Sequence, residues 1–159
     1  VIKTVQGLGK LDITYDILTK TPELKAAIEL VRACPDTRFV LDHISKPYIS
    51  RQELEPWKSF INELASFENV SCKISGLVTE ANWKDWEVSD FTPYTDHIIE
   101  SFSTSRIMFG SDWPVALLAA DSYQQVVDLA EKVTDGFSDS EKEAFWALNV
   151  ARSYKITNL

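Results

Sequence analysis

Three features of this sequence predict a parallel α/β architecture. Short strand-like runs begin near positions 13, 37, 69 and 106, and each is followed by a stretch with helical periodicity. Successive starts are separated by roughly one βα unit, which argues for parallel strands joined by right-handed crossovers. Two of the runs also deliver a chemically capable side chain at their far end, His43 in one case and Asp112 in the other. The carboxyl ends of parallel strands are where ligands bind, so residue types of this kind at those tips point to chemistry.

The elements follow in order. Val1, Ile2, Val5 and Leu8 recur at helical spacing, with Gly7 or Gly9 as the expected C-terminal cap, and this reads as the tail of a helix that starts earlier. Ile13 to Leu18 reads as the first strand. A helix opens at Pro22, which is tolerated in a first turn, and runs to about Ala33 with Leu24, Ala27, Ile28 and Val31 on one face. Thr37 to His43 gives the second strand, and Ser45, Lys46 and Pro47 the turn after it. The next helix is expected from about Gln52 to Ser66, striped by Leu54, Trp57, Phe60, Ile61 and Leu64.

Asn69 to Ser75 forms the third strand, with Val70, Cys72 and Ile74 on one face and Ser71, Lys73 and Ser75 on the other. Such a polar face on a buried strand fits a surface that leads to a site. A long loop carrying Trp83 and Trp86 precedes a helix from about Asp90 to Phe102. The fourth strand, Arg106 to Gly110, ends in the sequence Ser-Asp-Trp-Pro, where Pro114 cannot continue a strand. Gly110 lets another group come close there. Ser122 to Thr134 is amphipathic, and Ser138 with Glu141 three residues on makes a capping box for a last helix to about Tyr154.

Composition narrows the function classes. The chain has 159 residues, 45% hydrophobic and 25% charged, which suits one globular unit, taken here as a single domain over residues 1–159. It carries a net charge of -8 with scattered lysines and arginines, which argues against a nucleic-acid or anionic membrane partner. No apolar run is long enough for a membrane helix. Two cysteines on unrelated elements, Cys34 and Cys72, suit a reducing compartment, and a cytoplasmic setting is expected. A closed eight-stranded (β/α) barrel takes about 250 residues, so four βα units amount to half of one. A half-barrel standing alone would expose two sheet edges and promote association.

His43 and Asp112 are the leading candidates for chemistry. A neutral imidazole near its ordinary pKa of about 6.5 can bind a metal or relay a proton, and a carboxylate beside it can share the metal or take a proton from water. The bland alternatives are a core histidine bonded to a carbonyl and an aspartate capping the next loop. Lys73 can meet a substrate carboxylate or a developing oxyanion, or it can form a buried ion pair with Asp16 or Asp42. Lys46, just beyond His43, faces the same mouth. Trp113 can wall a pocket or simply pack. Trp83 and Trp86 are expected to fold their loop onto the barrel, and His97, in mid-helix, is expected to be structural.

Three segments then converge on a known family. FVLDHISKP (Phe39 to Pro47), CKISGLVTEA (Cys72 to Ala81) and IMFGSDWPV (Ile107 to Val115) resemble the C-terminal half of the amidohydrolase-related lactonases, a family that includes L-fucono- and L-rhamnono-lactonases and 2-pyrone-4,6-dicarboxylate lactonase. ITYDIL and NVARSYKI are similar to weaker family segments, so the resemblance covers nearly the whole chain. It implies the C-terminal half of a TIM-type (β/α)₈ barrel that opens a lactone ring with water. By the matching motifs His43 falls on the sixth strand's histidine and Asp112 on the eighth strand's aspartate, the general base.

The same resemblance implies that His43 and Asp112 can ligate one divalent metal such as zinc, although some members work without a metal. It puts Trp113 and Lys73 near a substrate that is a small lactone or carboxylated sugar. The sequence departs from the family pattern in lacking the first four strands, with their histidine pair, and in details at Glu23 and around Trp146 to Asn149. Two alternatives accompany this expectation: a non-catalytic half-barrel that associates with itself or with a missing half, and a decarboxylase of the same superfamily using the same strand tips.

Overall fold

A computed structural model describes residues 1–157. Four strands, β1 (Tyr15–Ile17), β2 (Phe39–Leu41), β3 (Val70–Ile74) and β4 (Ile107–Phe109), form one sheet in the order β1-β2-β3-β4, and every pairing is parallel. The helices are α1 (Ile2–Lys10), α2 (Leu24–Ala33), α3 (Trp57–Ala65), α4 (Val88–Phe102), α5 (Tyr123–Val133), α6 (Asp139–Glu143) and α7 (Asn149–Tyr154). The α/β fold of repeated parallel units is therefore the one expected. Among the described residues, no helix is long and apolar enough to cross a membrane.

Strand alternation sorts the side chains into two faces. Phe39, Leu41, Val70, Cys72, Ile74 and Ile107 point outward into the core, where they meet Leu24 and Ile28 of α2, Ile61 and Leu64 of α3, and Phe91 and Phe102 of α4. Each large apolar side chain sealed there contributes about 1.5–3 kcal/mol, so this layer fixes where the strands end. The opposite face is mixed. Register aligns Asp16, Val40 and Ser71 in one row, and Lys73 beside Met108 in the next.

Three local expectations are corrected. Helix α1 runs through Gly7 and Gly9 to Lys10, and the left-handed residue that ends the segment is Asp12, with φ 62°. Bonds from Leu11 N–H to the Gly7 and Leu8 carbonyls and from Asp12 N–H to Gly9 satisfy the helix end without a glycine cap. Helix α3 starts at Trp57 and not at Gln52. Gln52 is left-handed, at φ 54°, and ends a short turn over Ile49–Arg51, while Pro56 disfavours helical backbone at Glu55. The last helix is interrupted by a π turn over Ala144–Leu148 that separates α6 from α7. There Phe145 and Trp146 close on Phe109 of β4, with ring centroids 6.4 and 4.6 Å away.

Candidate active site

The segments that leave β2, β3 and β4 converge at the carboxyl end of the sheet. The segment after β2 is unusual. His43, Ile44, Ser45 and Lys46 all have positive φ, at 52°, 45°, 60° and 44°, although none is glycine. For L-residues this conformation costs roughly 1–2 kcal/mol each, and the β-branched Ile44 is the least suited of the four. Such strain persists where surrounding contacts impose it, and it concentrates at functional sites. Its effect is to turn the imidazole of His43 across the sheet toward β3 and β4.

Both ring nitrogens of His43 face a polar side chain. Nδ1 lies 2.8 Å from Ser75 Oγ, just past β3, and Nε2 lies 3.5 Å from Asp112 Oδ1, just past β4. The second distance exceeds an ordinary hydrogen bond, so the contact with Asp112 is charge to dipole or, on protonation, charge to charge. Gly76 makes the approach possible. Its φ is 60°, and a Cβ there would lie 2.8 Å from both Cβ and Cγ of His43. What comes close at Gly110 is Ser75, whose Cβ would stand 2.8 Å from an added methyl.

Asp112 is itself left-handed, at φ 53°, a conformation aspartate tolerates better than most residues. Its carbonyl accepts the Ala116 N–H at 2.8 Å, which fixes the loop that presents it. Its side chain is 8% exposed, and Oδ2 is buried without a hydrogen-bond partner among the described residues. A buried carboxylate oxygen of this kind calls for a donor or a cation. Burial holds the His43 pKa below its ordinary value. Asp112 and Asp42 oppose that shift, and Lys46 and Lys73 reinforce it. At neutral pH the ring is therefore neutral, with one nitrogen free to accept a proton or ligate a cation.

The other expected residues divide. Lys73 does what one of its two readings required. Nζ lies 2.8 Å from Asp42 Oδ1, off the line of a good hydrogen bond, and 3.7 Å from Asp16 Oδ1. Tyr154 of α7 donates to the same Asp16, and its ring sits 5.2 Å below the ammonium. Burial alone would depress the Lys73 pKa, but Asp42 and Tyr154 outweigh it and raise the pKa, so the lysine stays charged. Lys46 pairs with Glu80 at 3.1 Å on the rim. Trp113 is 46% exposed next to Asp112, edge-on to Tyr123 at 5.6 Å.

Two of the three residues expected to be structural are so. His97 is buried between α3 and α4, with Nε2 3.1 Å from the Lys58 carbonyl and its ring beside Trp57. Trp86 ties its loop down by donating to the Ala119 carbonyl at 2.6 Å, whereas Trp83 is 51% exposed and bonds only within the loop, to the Thr79 carbonyl at 2.9 Å, because no core surface lies beneath it to bury its ring. Sequence reasoning missed Ser75 and Tyr154 as site residues. The polar alternation of β3 carried the signal for Ser75, whereas nothing local marked Tyr154.

His43 Nε2 and Asp112 Oδ1 are spaced as two ligands of one metal ion can be, since each would lie about 2.0–2.2 Å from it. Asp112 Oδ2, without a hydrogen-bond partner among the described residues, adds a second acceptor on that side. The pair therefore fits a divalent cation as part of a ligand set. Among the described residues no group of three or more His, Cys, Asp or Glu side chains completes that set.

Parallel βα units that bring an imidazole and a carboxylate together at the strand tips are the arrangement of half a (β/α)₈ barrel. The chain belongs to the amidohydrolase family, whose model matches residues 3–156. It is 36% identical over 96% of its length to an L-fucono-1,5-lactonase of Burkholderia multivorans, and 39% identical over 91% to an L-fucono-1,5-lactonase of Burkholderia ambifaria. The chain spans about half the length of these relatives, 54% and 51% respectively. A crystal structure of a B. multivorans amidohydrolase with bound zinc superposes with a TM-score of 0.93 at 35% identity, over 97% of this chain and 56% of that one.

Proposed function

We propose that this site hydrolyses a sugar lactone. The observation that carries the reading is the meeting of His43 Nε2 with Asp112 Oδ1 at 3.5 Å, beside a buried carboxylate oxygen that has no hydrogen-bond partner among the described residues. The likeness to two L-fucono-1,5-lactonases supports the choice of a cyclic ester of a sugar acid as substrate.

The chemistry assigned to these residues is general base catalysis. With Nδ1–H donating to Ser75 Oγ, the lone pair of His43 Nε2 faces the site and holds a water by accepting its hydrogen bond. The Asp112 carboxylate takes the other proton of that water, and the oxygen adds to the lactone carbonyl. When the tetrahedral intermediate collapses the ring C–O bond breaks, and the proton held by Asp112 passes to the departing ring oxygen, leaving a hydroxy acid. A divalent ion such as zinc, held by His43 and Asp112, would make the water more acidic. Lys73 keeps Asp42 and Asp16 neutralised beneath the site, while Lys46 and Trp113 on the rim are the side chains a sugar ring meets on entry.

Two further readings accompany this one. Cys34 and Cys72 are free and buried, which supports a reducing, cytoplasmic setting. The outer edges of β1 and β4 have no partner strand among the described residues, which favours association of this chain through them. The functional reading is tested by offering the intact protein a panel of aldonolactones, L-fucono-1,5-lactone included, and following proton release. Catalysed ring opening, with or without loss on chelation, is the expected result. Rates equal to spontaneous hydrolysis across the panel would overturn the reading.

A further inference from the structure

The left-handed segment His43–Lys46 is held from one side by a residue that looks, in the sequence, like ordinary core. Trp57 Nε1 donates to the Ile44 carbonyl at 2.7 Å. Both residues are sealed from solvent, Ile44 at 0% and Trp57 at 1% exposure, so water cannot take over the bond. Trp57 is in turn clamped by α4, with its ring 5.3 Å from Tyr94 and 5.6 Å from His97. On the far side of the segment, Ser45 Oγ pairs with Thr19 Oγ1 at 2.8 Å.

The carbonyl that Trp57 grips is one peptide away from the imidazole, in a backbone that L-residues adopt only under constraint. We propose that Trp57 is a positioning residue, whose indole N–H locks the left-handed segment after β2 so that His43 faces Asp112. The mechanical chain runs from Tyr94 and His97 through Trp57 to the Ile44 carbonyl, and from there to His43. Without the N–H, the Ile44 carbonyl is a buried acceptor with no partner. The peptide can then rotate toward the ordinary φ region and carry the imidazole off its line to Ser75 and Asp112.

The inference uses the proposed lactonase activity only for its kinetic arm. The test compares Trp57→Phe, which keeps an aromatic ring and removes the donor, with Ile61→Val, a fully buried control on the same helix. Trp57→Phe is expected to move the backbone carbon shifts of residues 43–46 away from the left-handed pattern. It should also lower kcat by about 10- to 100-fold with KM little changed. Ile61→Val should lower Tm and leave the shifts and kcat alone. Wild-type shifts in folded Trp57→Phe, or equal effects of the two variants on the shifts, would overturn the proposal.

Should Trp57→Phe fail to fold, the wild-type protein decides the matter through indole hydrogen exchange. Trp57 Nε1–H is expected to exchange about tenfold or more slowly than the indole of the exposed Trp83. Equal rates would overturn the proposal. An intact segment in a wild-type protein that opens no lactone would refute the assigned function and leave the positioning role standing.

Discussion

Ser75 Oγ, 2.8 Å from His43 Nδ1, decides which ring nitrogen faces Asp112 and at what angle. Ser75→Ala leaves that nitrogen unpaired in a half-buried setting, an expected loss of about 1–3 kcal/mol in the interactions that orient the ring. In the proposed reaction the loss should appear in kcat more than in KM, and steady-state kinetics of the variant checks it. Unchanged kcat would remove Ser75 from the site. At this scale the sequence was partly legible. His43 and Asp112 stood out because each follows an apolar run directly, and Ser75 lay on the polar face of β3. The conformation of His43–Lys46 left no such trace, because it is imposed by contacts from Trp57, Thr19 and Gly76, which are distant in sequence.

Among the elements, the start of α6 was foreseen and can be tested by pH. Ser138 Oγ accepts from Glu141 N–H at 3.4 Å, and Glu141 answers by accepting from Ser138 N–H at 2.9 Å. Hydrogen bonds from the backbone and hydroxyl of Ser138, and from Thr104, hold the Glu141 pKa below the ordinary carboxylate value. A carboxylate depressed in the folded state contributes stability above its unfolded pKa, and that contribution disappears as pH falls through the folded value. Thermal melts from pH 7 downward should therefore show Glu141→Gln with a shallower acid loss than the wild type. Parallel curves would dismiss the cap.

The start of α3 and the break in the last helix are less legible in the sequence for a physical reason. Helical periodicity continued back through Leu54, but Pro56 and the left-handed Gln52 set the start of α3 at Trp57. The π turn within the last helix likewise answers to aromatic packing on Phe109, a tertiary demand that periodicity does not record.

For the whole molecule, the parallel four-stranded order followed from the spacing of the βα units, because short connections through helices leave few other topologies. The same order leaves the outer edges of β1 and β4 unpaired among the described residues, and Leu11, Leu18, Leu117 and Leu118 are exposed. Light scattering on the isolated 159-residue chain is expected to give a dimer or larger species. A folded monomer in dilute solution would contradict that expectation.

The claim on which the functional reading turns is that the Asp112 carboxylate accepts the proton of the attacking water. Turnover of a lactone that the intact protein opens, measured for Asp112→Asn beside the wild type and with matched Tm values, addresses it most directly. The expected result is a loss of at least about 100-fold in kcat. A folded Asp112→Asn protein that still opens the ring at close to the wild-type rate would contradict it.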